Sequence, residues 1–366
     1  VRGSAATRVN AEGLIESVVA NIPRIDYTTG EGVVLLEPQS TNLITYSEDF
    51  SQWVTSSSTE IANNAISPSG GMNAYKLYPN SSGNYRNLTT GGQISGLNTF
   101  SIFAKAGELQ HLVLIDYDGS DAGIDFNLST GVATDVSTSG FDSFDMVDYG
   151  NGWYRCIATA IDGFSYWILS DNGDVSVTAN GTDGLYVWGA QTEALSYATS
   201  YIPTSGAIAT RLADSVTGAG DATTFNSTEG VLYAEMAALS TTGSNSNITL
   251  SDGTGNNRIY IYYLIDNSIS VIYNINSTGA SLNDFALANI TDQTKIAVRW
   301  GNSNVSVWIN GTSVLSNTTS NFLSNTLNAL SFAKPTGGGD FTGRVKALAV
   351  FNEALTDSEL ECLTTI

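Results

Sequence analysis

The sequence predicts an all-β protein made of two antiparallel β-sandwiches in tandem, preceded by an extended N-terminal leader. Its 366 residues include 36 glycines, and charged residues make up only 13%, so long helices with Lys and Glu faces are not expected. Apolar runs of strand length recur between clusters of Gly, Asn and Ser, which is typical of short strands joined by turns. The Asn310-Gly311 pair between two apolar runs predicts a β-hairpin with a two-residue turn.

Residues 1–42 are predicted to be the extended leader rather than a domain. The run from Gly32 to Glu37 is one apolar strand that ends at Pro38, because proline lacks the amide hydrogen that a strand ladder needs. A second extended piece runs from Pro23 to Tyr27. Two such pieces bury too little surface to fold alone. We therefore expect the leader to pack against a neighbour or against another subunit.

Residues 43–204 are predicted to form the first sandwich. Strand-length runs separated by turn residues favour an antiparallel arrangement here. The principal predicted strands are 74–78, 100–106, 112–117, 152–158 and 184–191.

Residues 205–224 are predicted to be a linker, and residues 225–366 the second sandwich. In the stretch 338–360, a Gly-rich turn leads into an alternating strand, and Thr356-Asp357-Ser358-Glu359 then opens a short helical turn. The other predicted strands are 230–236, 258–263, 269–273, 295–300 and 305–309.

These motifs resemble two kinds of jelly-roll domain. The stretch 338–360 resembles the last strand and exit of laminin-G-like and concanavalin A-like jelly rolls, and residues 43–204 resemble carbohydrate-binding jelly rolls of the family 4/9 type. The resemblance implies two tandem concanavalin A-like jelly-roll sandwiches. Such domains mostly bind glycans or proteins, and some catalyse the cleavage of glycosidic bonds.

The order of motifs along the whole chain also resembles virion-surface proteins of tailed phages. In that family such chains are tail-fibre, head-fibre or capsid-decoration components. The resemblance implies a virion-surface location, extracellular when mature, with other virion proteins, glycans and further copies of the chain in a homotrimer as partners. The matching stretches are 4–10, 23–27, 36–43, 46–50, 151–155, 188–193, 197–204 and the closing strand within 338–360.

The charge of the chain argues against two classes of partner. Fourteen Lys and Arg residues against 35 Asp and Glu give a net charge of −21. Nucleic acid and anionic membranes need a basic face, which this composition does not readily supply. No apolar run approaches the ~18 residues of a membrane span, so membrane insertion is not expected. Carboxylates and turn carbonyls are instead ligands that divalent cations prefer.

Catalytic motifs are sparse, so we expect no enzymatic activity. His111 is the only histidine, and its place at a strand edge favours a structural or surface role. No Gly-x-Ser-x-Gly elbow precedes a helix. Retaining glycosidases on this kind of fold place acids at alternate strand positions, whereas the nearest run contains Glu235 without an acidic partner. Carboxylates on different strands could still converge.

Aromatic residues provide candidate glycan contacts, because pyranose rings present C–H patches that pack on flat apolar faces. Neighbouring strand residues point to opposite faces, so one member of each adjacent pair is expected to point away from the core. The candidates are Trp153, Tyr154, Tyr166, Trp167, Tyr262 and Tyr263.

Structural Ca²⁺ is a second expectation, since jelly-roll sugar modules often hold the ion between their first and last strands. The candidate ligands by position are Glu48, Asp49, Gln191 and Glu193. The alternative is that these are solvated loop residues. The Asp116-to-Asp121 segment resembles the start of a calcium loop but lacks the later bidentate glutamate, which favours an acidic turn.

Taken together, the residues and the resemblance favour non-enzymatic adhesion to host or environmental glycans. Many weak sugar contacts would be multiplied by valency in an oligomer. Two alternatives remain open: a purely structural head or tail decoration without glycan binding, and a polysaccharide-active glycoside hydrolase or lyase.

Overall fold

The computed structural model describes residues 2–55, 59–84, 87–89, 95–115, 123–136, 140–162, 166–241, 246–264 and 266–366. Antiparallel strands joined by turns dominate, which confirms the all-β class. Helical structure in the described residues is confined to a 3-10 turn at Phe50–Gln52 and the helix α1 (Asp357–Thr364). Within this part of the chain, no helix has the length and hydropathy needed to cross a membrane.

The leader forms strands that pair with distant parts of the chain. Its strands are β1 (Ala6–Val9), β2 (Ile15–Val18), β3 (Ile25–Asp26), β4 (Val33–Leu36) and β5 (Ser40–Asn42). β1 and β2 form a hairpin with each other. β4 pairs with β3 on one side and with the strand Gly343–Phe351 on the other, and β5 pairs with Ala209–Arg211.

Two six-stranded antiparallel sheets follow. The strands of this region are β6 (Val54–Thr55), β7 (Thr59–Ala65), β8 (Ala74–Pro79), β9 (Gly83–Asn84), β10 (Asn87–Thr89), β11 (Leu97–Lys105), β12 (His111–Ile115), β13 (Gly123–Asn127), β14 (Val132–Asp135), β15 (Phe141–Asp148), β16 (Trp153–Ile161), β17 (Tyr166–Ser170), β18 (Ser176–Val177) and β19 (Leu185–Glu193). Sheet A has the strand order β14-β13-β12-β17-β10-β6, and sheet B has the order β15-β16-β11-β19-β8-β7. The short strands β9 and β18 pair with each other in a separate sheet.

Sheets A and B enclose one hydrophobic core. Leu112 and Leu114 of β12 face Phe100 and Ile102 of β11, and all four side chains are buried. These residues lie at every second position of their strands, which is the alternation that places one side of each sheet against the other.

A seven-stranded and a five-stranded sheet form the rest of the molecule. The strands of this region are β20 (Ala209–Arg211), β21 (Gly230–Ala238), β22 (Asn247–Ser251), β23 (Arg258–Leu264), β24 (Ser268–Ile275), β25 (Thr278–Ala286), β26 (Thr294–Gly301), β27 (Asn304–Ile309), β28 (Thr312–Thr318), β29 (Ala329–Ser331) and β30 (Gly343–Phe351). Sheet C has the order β28-β27-β26-β21-β30-β4-β3, so two leader strands complete it, and sheet D has the order β25-β24-β23-β22-β29. β20 lies outside both sheets and pairs with β5.

Two local predictions in this region are confirmed. The Asn310-Gly311 turn joins β27 to β28, with φ values of 48° and 80°. Positive φ at both positions is the requirement of a type I′ hairpin turn. Helix α1 begins with a capping box, in which Thr356 and Glu359 bond each other's backbone N–H groups.

The leader fastens the two pairs of sheets to one another. Its β1–β2 hairpin packs Val9 and Ile15 against Phe103, Trp153 and Trp188 on the outer side of sheet B. Its strands β3 and β4 belong to sheet C. The neighbour against which the leader packs in this structure is therefore the chain's own sheets.

Candidate functional site

The six predicted glycan contacts divide into two groups by burial. Trp153, Trp167 and Tyr263 are at most 3% exposed. Each has an evident structural role: Trp153 donates through Nε1 to the Ile66 carbonyl at 3.1 Å, Trp167 packs on Phe126, and the Tyr263 hydroxyl donates to the Met236 carbonyl at 2.9 Å. Burial keeps a sugar from these three rings, so they are corrected to packing residues.

Tyr154, Tyr166 and Tyr262 are partly exposed, as strand alternation requires of one member in each pair. Tyr154 packs against the core between sheets A and B and lies over Gly131, where a Cβ would approach the ring to 2.9 Å. Tyr166 rests on a buried apolar cluster on the outer side of sheet A. These two rings pack on apolar clusters, whereas Tyr262 belongs to none of the clusters formed by the described residues.

Tyr262 belongs to an aromatic row on the outer side of sheet D. Strand β23 alternates, and three of its residues point into the core between sheets C and D: Ile259, Ile261 and Tyr263. Arg258, Tyr260 and Tyr262 lie on the other side of the strand, where Tyr260 is 4% exposed and Arg258 and Tyr262 are partly exposed. The two tyrosine rings stack with centroids 4.8 Å apart and planes inclined by 29°. The Arg258 guanidinium lies over the Tyr260 ring at 5.2 Å, within the range of a cation–π contact.

Polar side chains flank this row. By strand register, Tyr262 lies opposite Asn247 on β22 and Ser270 on β24, and Ser270 lies opposite Asp284 on β25. The Tyr260 hydroxyl donates to the Asn247 amide oxygen. We call the outward-facing set the tyrosine face: Arg258, Tyr260, Tyr262, Asn247, Ser270, Asn274 and Asp284.

Two polar atoms of the tyrosine face lack partners. Ser270 Oγ and Arg258 Nε are both buried without a hydrogen bond among the described residues. Buried polar groups are nearly always hydrogen-bonded, so these two atoms are exceptions. The members of the face that solvent reaches are Arg258, Tyr262, Asn274 and Asp284. Burial raises the pKa of Tyr260 to about 12, which keeps its phenol neutral at physiological pH. The face therefore combines flat rings with hydroxyl, amide, guanidinium and carboxylate groups.

Sequence reasoning found only Tyr262 of this set and paired it with the buried Tyr263. The available signal was the alternation Arg-Ile-Tyr-Ile-Tyr over residues 258–262, because isoleucines at alternate positions mark the core side and assign Tyr260 to the outer side with Tyr262.

The four predicted calcium ligands do not converge on one site. Glu48 and Asp49 line an open cavity of about 420 Å³ together with Asn73 and Tyr75. Glu48 accepts from the Tyr201 hydroxyl at 3.0 Å, and burial raises the pKa of its carboxyl. Asp49 accepts from the Tyr75 hydroxyl at 3.2 Å.

Gln191 and Glu193 lie elsewhere, and both are buried. Gln191 accepts the Ile202 N–H at 2.6 Å, and Glu193 accepts from Ser40 Oγ at 2.6 Å and from Thr199 N–H at 2.9 Å. These bonds fasten the chain around β19 to the leader and the segment before the linker. Among the described residues, no three His, Cys, Asp or Glu side chains gather as metal ligands. The Asp116-to-Asp121 segment lies outside the described residues.

His111 has a structural partner. Its Nδ1 lies 2.9 and 3.0 Å from the two carboxylate oxygens of Asp125 on the adjacent strand β13. Burial raises the pKa of the Asp125 carboxyl, and the His111 contact opposes that shift. The arrangement joins two neighbouring strands of sheet A.

Comparison with known proteins identifies one domain. Residues 220–361 match the family described as the concanavalin A-like lectin/glucanases superfamily. This match places a concanavalin A-like domain over strands β21 to β30, which form sheet D and all of sheet C except the leader strands β3 and β4. That the region of sheets A and B belongs to the same fold, in tandem, stays a prediction. No curated protein matched the chain.

Solved structures with partial similarity include a heptameric SAP-like pentraxin from Limulus polyphemus, at 12% identity and a TM-score of 0.32, covering 40% of this chain and 72% of that one. A carbohydrate-binding CBM40 domain of the Ruminococcus gnavus IT-sialidase is 16% identical with a TM-score of 0.33, covering 41% of this chain and 96% of that one. The NanB sialidase of Streptococcus pneumoniae, as its K499G mutant, is 16% identical with a TM-score of 0.33, covering 42% and 26% of the respective chains.

Proposed function

We propose that this chain is a non-enzymatic glycan-binding protein whose sugar site is the tyrosine face of sheet D. The observation that carries the proposal is the partly exposed Tyr262 ring, which stacks on Tyr260 and shares its side of sheet D with the accessible polar residues Arg258, Asn274 and Asp284. Ligand sites characteristically combine apolar surface with a few polar groups that fix orientation. The face lies within the residues that match the lectin/glucanase family.

The chemistry of the face suits a pyranose. The exposed part of the Tyr262 ring offers an apolar surface to the C–H patch of the sugar. The Asp284 carboxylate and the Asn274 amide offer acceptors and donors for equatorial hydroxyls, and Arg258 adds a fixed donor.

The same face argues for binding rather than cleavage. Glycoside hydrolases usually require two carboxyl groups flanking the scissile bond. Along the described strands of sheet D, register places one acidic residue, Asp284, on the outer side. A single carboxylate serves as a hydrogen-bond acceptor, whereas acid and base roles need a second one.

The virion surface is the setting that the order of sequence motifs favours, with the chain as part of a tail fibre, head fibre or capsid decoration. Single tyrosine-sugar contacts are weak, so copies linked in a trimer would raise the effective concentration of sites. In the alternative of a purely structural decoration, the same aromatic face would pack on another virion protein.

A glycan array with matched variants tests the proposal. We expect the purified chain to bind a restricted set of glycans and Tyr262→Ala to lose about tenfold in affinity, since aromatic contacts contribute about 0.5–1.5 kcal/mol beyond their burial. Tyr166→Ala, which removes a partly exposed tyrosine from sheet A, is the control and should bind normally.

Three other outcomes would redirect the proposal. A blank array with folded protein favours the structural decoration. Loss of binding in Tyr166→Ala with Tyr262→Ala intact moves the site to sheet A. If the chain cleaves a bound oligosaccharide and Asp284→Asn abolishes that cleavage, the protein is a hydrolase.

A further inference from the structure

A cavity of about 110 Å³ lies where the leader, sheet B and sheet C meet. Val9 and Leu35 line it from the leader, Arg155 and nearby Tyr149 from the side of sheet B, and Arg344 from strand β30 of sheet C. It is remote from the tyrosine face in the fold, because Arg344 belongs to the other sheet of the concanavalin A-like domain.

Two arginines of this cavity have no acidic partner. Arg155 is 3% exposed, and its guanidinium donates to the Thr199 carbonyl at 2.6 Å and to Ser101 Oγ at 2.9 Å. Arg344 Nε is buried without a hydrogen bond. Within the described part of the chain, neither guanidinium forms an ion pair with a carboxylate.

The two carboxylates that line the cavity already have hydrogen-bond or ion-pair partners within the protein. Glu37 pairs with Arg24 and Arg211, each at 2.6 Å. The Asp26 oxygens accept the backbone N–H groups of Val9 at 2.9 Å and Thr28 at 3.0 Å. The lining therefore keeps a positive excess in spite of its two acids.

This excess is unexpected for the composition of the chain. Asp and Glu outnumber Lys and Arg by 35 to 14, so a carboxylate partner for a buried arginine is readily supplied by sequence. A desolvated cation without a counter-charge is costly. The nearby Arg2, Arg24 and Arg211 have carboxylate partners, as does Arg8, which also lines the cavity. Among the described residues, the buried Arg155 and the half-buried Arg344 have none.

We propose that the junction cavity binds a small oxyanion, a carboxylate or a phosphoryl group, between Arg155 and Arg344. The planar guanidinium matches both kinds of oxyanion through paired N–H donors. The Tyr149 phenol supplies a further neutral donor, because burial raises its pKa, with Arg155 opposing. A water needs about 10–15 Å³ of such space, so the cavity has room for one small oxyanion and a few waters and not for a sugar chain.

The bound oxyanion would fasten the leader to both pairs of sheets. The site exists only when the three parts are docked, so the ligand stabilises the docked form by mass action. The inference is independent of the proposed glycan site, because none of the groups used here belongs to the tyrosine face.

The test measures thermal unfolding of the full chain with sodium phosphate or sodium acetate, against sodium chloride at equal ionic strength. We expect the oxyanions to raise Tm above the chloride value. Arg344→Gln should remove that increment and raise the calorimetric Kd for phosphate about tenfold or more, as loss of a charge-assisted hydrogen bond implies. The control Arg299→Gln, on the same sheet but paired with Asp357, should keep the increment.

Arg155→Lys is a second variant, which keeps the positive charge. Its Kd for phosphate should also rise, because lysine lacks the paired N–H donors of the guanidinium. A larger Tm increment with phosphate than with acetate identifies the preferred ligand as a phosphoryl group, and the reverse order identifies it as a carboxylate. Equal Tm values in chloride and in both oxyanions, or an increment that Arg344→Gln leaves intact, would overturn the proposal.

Discussion

Replacement of Glu37 by glutamine tests what holds the leader in place. Glu37 is 3% exposed, and its carboxylate accepts from Arg24 and Arg211, each at 2.6 Å. It also accepts from the Ser200 N–H and Oγ, each at 2.6 Å. Glutamine keeps the shape but removes the charge, so Arg24 retains only Asp214 as a carboxylate partner, and Arg211 retains none among the described residues.

Two independent routes give the size of the effect. Removing one partner from a buried ion pair costs about 3–5 kcal/mol. Burial alone would raise the pKa of Glu37, but the charges of Arg211 and Arg24 outweigh it and lower the pKa from 4.5 to about 2. A shift of that size corresponds to about 3 kcal/mol at 1.36 kcal/mol per pKa unit. We therefore expect Glu37→Gln to lower the free energy of unfolding by about 3 kcal/mol at neutral pH.

The pH dependence follows from the direction of that shift. The pKa of Glu37 is lower in the folded chain than in the unfolded chain, so its stabilisation is complete above pH 4.5. As the pH falls from there towards 2, the unfolded chain takes up the proton first and the stabilisation is lost. The wild type should lose this contribution across that window, whereas Glu37→Gln should show a shallower dependence on pH.

Urea unfolding followed by tryptophan fluorescence, at neutral pH and near pH 3, measures both quantities. Glu16→Gln is the matched control, because Glu16 pairs with Arg8 at 2.7 Å but its side chain is 39% exposed. Exposed pairs contribute about 0–1 kcal/mol. A loss below about 1 kcal/mol in Glu37→Gln, or a pH dependence equal to that of the wild type, would refute the reasoning.

Three further predictions concern other parts of the molecule. Cys362 is exposed and Cys156 is buried with a raised pKa, so a thiol reagent should label one site per native chain and two after denaturation, and Cys362→Ser should abolish native labelling. Leu360 of α1 is fully buried in a cluster with Trp308 and Tyr233 of sheet C, so Leu360→Ala should lower the free energy of unfolding by about 2–5 kcal/mol in urea. Calcium binding at the Glu48 cavity remains a prediction. A chelator should lower the Tm of the wild type and leave the Tm of Glu48→Gln unchanged. An unchanged wild-type Tm would refute the calcium site.

Local signals in the sequence predicted local structure well. The Asn310-Gly311 turn and the Thr356 capping box each depend on a few adjacent residues, and both are confirmed. The concanavalin A-like assignment for the C-terminal half also came from a contiguous stretch and agrees with the family match. Each of these features is specified by residues close together in sequence, so a single sequence is sufficient to find it.

Features that depend on distant pairing were missed. The apolar run at Val33–Leu36 was identified as a strand, but nothing in it specifies that Val34 pairs with Val345. Likewise, Gln191 and Glu193 have the chemistry of metal ligands, yet the chain folds so that backbone N–H groups and hydroxyls occupy their oxygens. Residue type limits what a side chain can do, and only the tertiary fold decides which partner it meets.

The charges at the junction explain why the leader docks in one arrangement. An apolar interface alone tolerates shifts, because apolar contacts are not directional. Here Arg24 from the leader must meet both Glu37 and Asp214, and Arg211 from the linker must meet the same Glu37. Any displaced docking would leave at least one of these charges buried without a partner, at several kcal/mol. The apolar patch under the β1–β2 hairpin thus favours docking, and the ion pairs select its geometry.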